Sequence, residues 1–296
     1  MKLAILGAGA GGGLPQWNCG CANCLDARAG KIASMTQSSI AVSADGEQWV
    51  VLNASPDIAV QLQRTKALWP KALRGTPIKA VILTNGDIDH IAGLLTLREK
   101  TAFTVYATKS GMDILTSNSV FNVLDAELVE RRIMSIDEAF APLPDVKIIP
   151  FSVPGKVALF LEDEEALDLE AVGDQTIGLL LEANGKRAAY IPGCAALPDW
   201  LLERLDAVDL LLFDGTVWEN DDMTKTGTGR KTGARMGHIP LSGHDGSLER
   251  LGVISARKVF VHINNTNPML QPTSVERAQV ENAGWEIAFD GMEIDL

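Results

Sequence analysis

Short apolar segments alternate with amphipathic segments along the whole chain, and this alternation predicts a mixed α/β structure. The apolar segments are rich in Val, Ile, Leu and Ala, and most are bounded by Gly, Asn, Asp or Pro. Their lengths are typical of strands in globular proteins. We predict strands at residues 2–6, 38–43, 49–53, 80–83, 104–107, 146–151, 176–182, 187–191, 209–213, 258–262 and 285–288.

The residues that flank the amphipathic segments predict where helices begin and end. Ser55 followed by Pro56 predicts a start in which Ser55 caps the helix and Pro56 takes its first position. A second helix is predicted after His90. Two more are predicted at residues 198–206 and 274–282, and the last of these closes on Gly284.

Two pairs of predicted strands are joined by hairpin turns. The dipeptides Asp45-Gly46 and Asn184-Gly185 lie between them, and both favour tight hairpins. One hairpin in each half of the chain indicates two sheets, so we predict an α/β sandwich with two mixed sheets inside and helices outside. The chain has no linker, repeat or charge block that would divide it, and we expect one domain over residues 1–296.

Composition is that of a globular chain with a large core: 46% of the 296 residues are hydrophobic and 22% are charged. The formal net charge of −12 argues against nucleic acid or an anionic membrane as the main partner, because both require a basic face. No apolar run is long enough for a signal peptide or a membrane span. The expected compartment is the cytoplasm.

The glycine-rich segment GAGAGGG follows the first predicted strand and contains Gly-x-Gly-x-x-Gly at Gly7, Gly9 and Gly12. A dinucleotide-binding turn has this pattern, but it requires a helix directly afterwards and an acidic residue at the end of the next strand. Here Pro15 and a cysteine-rich stretch follow instead. We therefore favour a turn whose glycines allow a close backbone approach beside an active site.

The segment NCGCANC places Cys19, Cys21 and Cys24 on one short loop. Three thiolates at this spacing can converge on one cation, and soft sulfur ligands favour a structural Zn(II) site with a fourth ligand from elsewhere. The alternative is a cysteine-rich loop without a metal. Cys194 stands apart in the sequence and is interpreted as a small packed side chain.

The segment VILTNGDIDHIAGL carries part of a metal-binding motif directly after an apolar strand. A binuclear site has His-x-His-x-Asp-His here, whereas this chain has Asn85 and Asp87 in the first two histidine places. His262 closes another apolar strand, which should bring it to the same edge of the sheets as His90. Asp89, His90 and His262 can hold one ion and leave positions open, although ligand number alone does not choose between iron and zinc.

Two more polar residues lie where site residues are expected. Asp214 ends the apolar strand LLLFD, and His238 lies in a glycine-punctuated loop. Asp214 is either a strand-end cap or a site residue, and His238 is either a solvated loop residue or a site residue.

Several segments of the chain carry a family resemblance: GAGAGGGLPQWNCGCANC, TQSSIAVS, LNASPDI, DIDHIAGLLTLRE, DGTVWENDDM, GARMGH, VHINNTNPML and FDGMEIDL. Together they closely resemble the coenzyme PQQ (pyrroloquinoline quinone) synthesis protein B family, a branch of the metallo-β-lactamase superfamily. The resemblance covers nearly the whole chain. It implies the αββα sandwich of that superfamily.

The resemblance also implies what each part of the incomplete motif does. In superfamily hydrolases the first two histidines and a later third hold one metal, but here Asn85, Asp87 and Asp174 stand in those regions. A bridging aspartate expected in PGCAALP is replaced by Cys194 or a neighbour. Asp89, His90 and His262 match the second site, which leaves a one-metal centre.

By the same resemblance, the cysteine loop is similar to the structural zinc loop of a related phosphodiesterase, whose fourth ligand is a histidine three residues after the last catalytic histidine. Asn265 holds that place here. Asp214 and His238 lie on loops that the family places around the mouth of the cavity, where they would contact substrate or orient ligands without binding the metal. Asp87 would accept a phenolic proton, unless it caps the following helix.

Three functions follow as expectations. As the family is understood, it hydroxylates the tyrosine-derived ring of the cross-linked Glu-Tyr intermediate, using Fe(II) and O₂. The alternatives are a mononuclear zinc hydrolase and a non-enzymatic carrier or binding protein for PQQ. The expected partners are the small-molecule PQQ precursor and O₂, and the oligomeric state, including a homodimer, is left open.

Overall fold

The computed structural model describes residues 1–162, 168 and 170–296. Its strands, numbered in chain order, are β1 (Lys2–Gly7), β2 (Ser39–Ser43), β3 (Trp49–Leu52), β4 (Ile78–Ile82), β5 (Phe103–Ala107), β6 (Val129–Ile133), β7 (Phe140–Leu143), β8 (Val146–Ser152), β9 (Ile177–Ala183), β10 (Lys186–Ile191), β11 (Leu210–Asp214), β12 (Arg257–Val261), β13 (Trp285–Ile287) and β14 (Glu293–Asp295).

Two mixed sheets are built from these strands. The N-terminal sheet has the order β14-β1-β2-β3-β4-β5-β6, and the C-terminal sheet has the order β13-β12-β11-β10-β9-β8-β7. The predicted hairpins are confirmed, since β2 pairs antiparallel with β3 and β9 pairs antiparallel with β10. Asn184 and Gly185 both have positive φ, as the turn between β9 and β10 requires.

Helices cover the outer faces of the sheets, which confirms the predicted sandwich. They are α1 (Ala22–Arg28), α2 (Ile58–Arg64), α3 (Ile88–Ile91), α4 (Lys109–Ser117), α5 (Asp199–Leu205), α6 (Asp222–Lys225), α7 (Gly233–Met236), α8 (Ser247–Arg250) and α9 (Val275–Asn282). Short 3₁₀ turns occur at Lys66–Leu68, Ala92–Leu95, Ser119–Val123, Leu159–Leu161, Leu251–Val253 and Pro268–Leu270.

The starts of two helices differ from their predictions. The helix expected at Ser55 and Pro56 begins only at Ile58, and residues 56–57 form a turn before it. The Ser55 hydroxyl does accept the Asp57 amide, as a capping serine would, and it donates to Gln61 Oε1. The helix expected after His90 begins at Ile88 and continues as a 3₁₀ turn. By contrast, Ser274 caps α9 as the sequence predicts, with its hydroxyl accepting the Arg277 amide.

Most strands are apolar on both faces because both faces are covered. In β1, Leu3 and Ile5 join the core between the sheets, whereas Ala4 and Leu6 pack in the cluster that α2, α3 and α4 cover. This is why the strands lack a clear alternation of polar and apolar residues. No helix among the described residues has the length and hydrophobicity that crossing a bilayer requires.

The glycine-rich segment forms tight turns and is not followed directly by a helix, since α1 begins only at Ala22. A Cβ on Gly7 would lie 2.1 Å from the Gln37 carbonyl oxygen, so the backbones approach too closely for any side chain. Directly after this point, the Ala10 amide donates to the Ile263 carbonyl at 2.8 Å. This hydrogen bond ties the N-terminal loop to the residue that follows His262.

Candidate metal centre and substrate cavity

The candidate centre lies where strands of the two sheets end. The segment after β4 carries Asp89 and His90, and His262 follows β12 in the other sheet. Asp214 is the last residue of β11, which runs parallel to β12. Because the carboxyl ends of these strands meet at one edge of the sandwich, residues distant in sequence become neighbours.

Asp89, His90 and His262 come together as the sequence predicts. Their potential ligand atoms all lie within 4.8 Å of one another. Asp89 Oδ2 lies 3.1 Å from His262 Nε2 and 3.6 Å from His90 Nε2, and the two imidazole centroids are 5.3 Å apart. One carboxylate oxygen and two imidazole nitrogens therefore face one point.

His90 Nε2 is the observation that indicates an ion here. This atom is buried, and it has no hydrogen-bond partner among the described residues. A buried imidazole nitrogen without a partner is costly, and a cation shared with Asp89 would satisfy it. The residues present thus fit a divalent ion bound by two nitrogens and one carboxylate.

The second nitrogen of each imidazole faces a threonine hydroxyl. Thr84 Oγ1 lies 3.5 Å from His90 Nδ1, and Thr216 Oγ1 lies 2.8 Å from His262 Nδ1. Thr216 also donates its hydroxyl to Asp214 Oδ1 at 2.6 Å, so it accepts the His262 Nδ1 proton. This arrangement leaves Nε2 of both histidines for the ion.

Asp214 and His238 form a pair beside these ligands. Asp214 is fully buried, and its Oδ2 accepts the His238 Nδ1 proton at 2.7 Å and the Cys194 amide at 3.1 Å. The two bonds to Thr216 and Cys194 show that Asp214 does brace the local backbone, as a strand-end cap would. His238 also stacks on His262, with their ring centroids 5.1 Å apart. Since its Nδ1 bonds to Asp214, its Nε2 is the ring nitrogen that remains for a bound molecule.

A second geometric grouping of possible ligands exists, comprising Asp214, His238 and His262. In this grouping Asp214 already accepts two protons from side chains and two from the backbone amides of Cys194 and Thr216. An ion would compete with these bonds. The Asp89 grouping, with its unpartnered His90 nitrogen, fits an ion better.

The charges of the cluster set its protonation. Burial opposes ionisation of Asp89, but His90 and His262 outweigh it and hold the pKa of Asp89 well below its usual range. Burial lowers the pKa of His90, which favours the neutral form that binds metals. Burial would also lower the pKa of His262, but Asp89, Asp214 and Asp87 raise it.

The residues that stand in place of the first metal site's histidines also lie at the cavity. Asn85 and Asp87 both line the cavity. Asp87 occupies the N-cap position of α3, and its backbone carbonyl accepts the His90 amide at 2.9 Å. Its side chain makes no capping bond, and Oδ1 instead accepts the Leu159 amide at 3.0 Å.

The structure also resolves which residue of PGCAALP faces the site. Gly193 lines the cavity, and a Cβ on it would lie 3.5 Å from His238 Cε1. Cys194 points away, fully buried, with its thiol bonded to the Ala196 carbonyl at 3.0 Å. Cys194 is thus a packed side chain, as predicted. No carboxylate projects from this loop where a bridging aspartate would stand.

The cavity above the cluster has a volume of about 250 Å³. Its floor carries Asp87, Asp89, His90, His238 and His262, and Lys156, Leu159 and Lys231 contribute to its walls. It has room for a small aromatic molecule. The wall lysines were not predicted, since a lone lysine in a loop gives no signal of its place in the fold.

His262 has a left-handed backbone with φ of 54°, and Asn53, which bonds to Thr84, has φ of 63°. Non-glycine residues adopt this conformation rarely, and it is concentrated at functional sites. The bonds around His262 explain how it is held, since both its ring and its carbonyl contact Thr216. The network around Asn53 continues to Tyr190, which lies fully buried between the sheets.

The three cysteines of the loop also converge, with their sulfur atoms within 4.8 Å of one another. The Asn265 side-chain amide lies over them, 3.2 Å from Cys19 Sγ and 3.3 Å from Cys24 Sγ. Amide nitrogen and oxygen are distinguished only by their bonding, so Asn265 can turn its oxygen to the same point. Burial raises the pKa of Cys21 to about 11, and a bound cation would reverse this shift.

Helix α1 ties the cysteine loop to the C-terminal segment. Asn23 donates to the backbone carbonyls of Asn265 and Asn267, both at 2.9 Å. No signal in the sequence points to Asn23, Thr84 or Thr216, because Asn and Thr occur throughout loops.

Known proteins similar to this chain agree with the geometry. Residues 48–263 match the sequence profile of the beta-lactamase superfamily domain. The chain is 53% identical to coenzyme PQQ synthesis protein B of Ruegeria pomeroyi over 296 residues and 55% identical to that of Rhizobium meliloti over 299, covering 100% of this chain and 100% and 98% of those proteins.

A solved structure extends this likeness to three dimensions. The crystal structure of Zn²⁺-bound PqqB from Methylobacterium extorquens is 52% identical, superposes with a TM-score of 0.98, and is covered completely in both directions. The fold is thus shared with this relative over the whole length of both chains. The chain belongs to the coenzyme PQQ synthesis protein B family of the metallo-β-lactamase superfamily.

Proposed function

We propose that this protein hydroxylates a phenol ring during PQQ biosynthesis, using one Fe(II) ion held by Asp89, His90 and His262 together with O₂. The buried, unpartnered Nε2 of His90 beside Asp89 carries the proposal. Two imidazoles and one carboxylate are the ligand set of non-haem Fe(II) oxygenases, and they leave positions for O₂ and substrate. When bound, Fe(II) supplies the activation of O₂.

The residues that stand in place of the superfamily's first metal site support one bound ion over two. Asn85, Asp87 and Gly193 stand where a second ion would need imidazoles and a bridging carboxylate. A binuclear hydrolase uses both ions to stabilise the attacking and leaving oxygens. This chain therefore lacks that arrangement among its described residues.

The substrate is proposed to be the tyrosine-derived ring of the cross-linked Glu-Tyr intermediate. Conversion of a phenol to an ortho-quinone balances with O₂ alone: one oxygen atom enters the ring, the other leaves as water, and the catechol supplies the two electrons required. The reaction removes protons from the ring hydroxyls, and Asp87 on the cavity floor can accept one.

His238 is proposed to hold the substrate or move a proton. Its Nδ1 is fixed by Asp214, which sets the tautomer and leaves Nε2 for a substrate oxygen. Since Thr216 joins Asp214 to His262, one buried carboxylate orients both imidazoles. We therefore propose that His238 acts beside the metal ligands and is not one of them.

Cys19, Cys21, Cys24 and Asn265 are proposed to hold a structural Zn(II). Three sulfurs and one amide around a single point suit a four-coordinate zinc. The zinc in the relative from Methylobacterium extorquens is consistent with a zinc-binding family. We further propose a single functional unit over residues 1–296 that acts in the cytoplasm on a small-molecule substrate.

Metal substitution tests the hydroxylase function. The protein is loaded anaerobically with Fe(II) or Zn(II) at the active centre and then given O₂ and a tyrosine-like or dopa-like substrate. We expect stoichiometric O₂ uptake and ring hydroxylation with Fe(II) only. Asp89→Asn should abolish uptake, and His244→Ala is the matched control because His244 is exposed and pairs with Glu249.

A mononuclear zinc hydrolase is the second candidate, favoured by the Asp214–His238 pair, which could activate a water molecule. Turnover by the zinc form without O₂ consumption would support it over the hydroxylase. Binding of PQQ with no turnover by either metal form would instead support a carrier.

A further inference from the structure

A groove with apolar walls lies at the opposite end of the strands from the metal ligands. Asp89 and His90 follow the carboxyl end of β4. The groove is instead lined by Ile78 and Phe103, which begin the parallel strands β4 and β5. Its volume is about 450 Å³, which is within the usual range of binding clefts. A molecule bound in the groove would therefore leave the substrate cavity open.

The walls of the groove combine buried and exposed apolar side chains. Leu68 and Phe103 are buried, whereas Trp69 is 47% exposed. The indole nitrogen of Trp69 donates to the Gln63 carbonyl at 2.9 Å, which holds the ring in one orientation. Tryptophans with one covered and one open face are frequent anchors of protein-protein contacts. The other apolar residues of the walls are Leu62, Pro70, Ile78 and Leu97.

The surroundings of the groove are basic. Residues 61–80 contain five Lys or Arg residues and no Asp or Glu, in a chain of net charge −12. One of the five, Lys71, pairs with Glu47. A second depression adjoins the groove and shares three of its lining residues. Three cations line this second depression: Arg74, Arg98 and Lys100.

Nearby carboxylates offset only part of this positive charge. Glu99 Oε1 lies 3.9 Å from Arg98 Nη2, and Asp125 Oδ2 lies 3.8 Å from Lys100 Nζ. Both distances are longer than those of hydrogen-bonded ion pairs. Arg74 is exposed and forms no ion pair with a carboxylate of the described residues. Three cations and two carboxylates leave the second depression with a net positive charge.

We propose that this groove binds an acidic segment of a partner protein in which large apolar side chains lie beside Asp or Glu residues. The groove would bury the apolar side chains, and the cations of the second depression would pair with the carboxylates. Two adjoining depressions suit an extended chain better than one small molecule. A flat lipid surface could not fill a groove. The proposal does not depend on the metal or on the reaction.

A phage-displayed library of random short peptides tests the proposal on the full-length protein. Selection should enrich peptides that carry several Asp or Glu residues next to Leu, Phe or Trp. The most enriched peptide is then synthesised, and its affinity is measured by fluorescence anisotropy. Affinity should fall about tenfold or more when its Asp and Glu residues become Asn and Gln, and it should fall as salt is added, because the attraction is electrostatic.

Variants assign the binding to the groove. Trp69→Ala should weaken binding of the selected peptide about tenfold or more, and Arg74→Gln should weaken it several-fold. Trp200→Ala and Arg257→Gln are the matched controls and should bind as the wild type does. Trp200 is 42% exposed in α5, and Arg257 is exposed in β12, where it pairs with Glu286. Bound metal should be unchanged in every variant, which shows that the fold is intact.

Three results would overturn the proposal. The first is a selection that enriches no peptide, or only peptides without acidic residues. The second is peptide binding that Trp69→Ala and Arg74→Gln leave unchanged. The third is binding of phosphatidylglycerol vesicles that the same two variants weaken, which would assign the groove to an anionic membrane surface. O₂ uptake enters none of these results, so the hydroxylase function is tested separately.

Discussion

The two candidate metal centres of this protein are assembled in different ways. In the proposed cysteine centre three ligands come from residues 19–24 and one is Asn265. In the second proposed centre Asp89 and His90 follow a strand of one sheet and His262 follows a strand of the other. The three cysteines of the first centre are brought together by their short spacing in the sequence. The second exists only when the two sheets are packed together.

Both centres share one short segment. His262 and Asn265 lie three residues apart after β12, and Asn23 fixes the backbone of Asn265 from helix α1. The ligand types also differ, since the cysteine centre offers soft sulfurs and the other centre offers imidazole and carboxylate groups. The comparison teaches that the cysteine loop holds the same segment that presents His262. The predictions below separate the two centres.

The largest effect is expected from His262→Ala. Removing this imidazole leaves two ligands at the active centre, so active-site metal and O₂ uptake should be lost. The fall in turnover should exceed the roughly 10- to 100-fold that follows loss of a residue behind a ligand. Metal analysis should still find the cysteine-bound zinc. A variant that retains full iron and full activity would contradict the assignment of His262.

The double variant Cys19→Ser, Cys21→Ser tests the other centre. We expect the loss of one zinc per chain by elemental analysis, because two of the three thiolates are gone. The midpoint of thermal unfolding should fall by at least about 5 °C, since each kcal/mol lowers it by about 2–4 °C in a chain of this size class. Cys194→Ala should retain the zinc, and unchanged zinc in the double variant would disprove the site.

A smaller effect is expected from His238→Asn. Bound iron should remain near the wild-type amount, because the ring is oriented towards Asp214 and lies beside the ligands. Turnover should fall about 10- to 100-fold, as is typical for residues that orient ligands or substrate. If the iron is lost instead, His238 is itself a ligand and the grouping with Asp214 and His262 is the metal site.

The pH dependence of metal affinity should be the smallest of these effects. The carboxylates of Asp89, Asp214 and Asp87 outweigh burial and raise the pKa of His262, so the ion-free ring holds its proton below that raised value. Metal binding must expel this proton. Below the raised pKa of His262, metal affinity at the active centre should therefore fall about tenfold for each unit by which the pH is lowered, and above that pKa it should be constant. Chelator competition from about pH 6 to about pH 8 measures the slope. A flat profile would show that His262 is neutral before the ion binds.

Much of the fold could be predicted from the sequence. Every predicted strand overlaps an observed one, because the interior strands are continuous apolar runs. The missed strands β6, β7 and β14 all lie at sheet edges. β6 has the sequence VERRI and β7 contains Pro142, and charges and proline are what edge strands use to avoid further pairing. Short helices such as α3 and α7 were missed or misplaced because four residues cannot show a helical period.

The site could be predicted in part. Asp89, His90 and His262 could be chosen because histidines are scarce in this chain and two of them follow apolar strands. The orientation of the rings could not, since it depends on Thr84 and Thr216, whose residue type carries no functional signal. The wall lysines depend on loops that are distant in sequence and meet only in the fold.

Oxygen-isotope labelling tests the central claim, that a single ion at Asp89, His90 and His262 drives O₂-dependent hydroxylation, most directly. The Fe(II)-loaded protein is given substrate under ¹⁸O₂ in ordinary water, and a parallel reaction uses ordinary O₂ in H₂¹⁸O. We predict that the new ring oxygen carries the label from ¹⁸O₂ and that Asp89→Asn forms no labelled product. Label that enters from water, or product that forms without O₂, would contradict the account and favour a hydrolase.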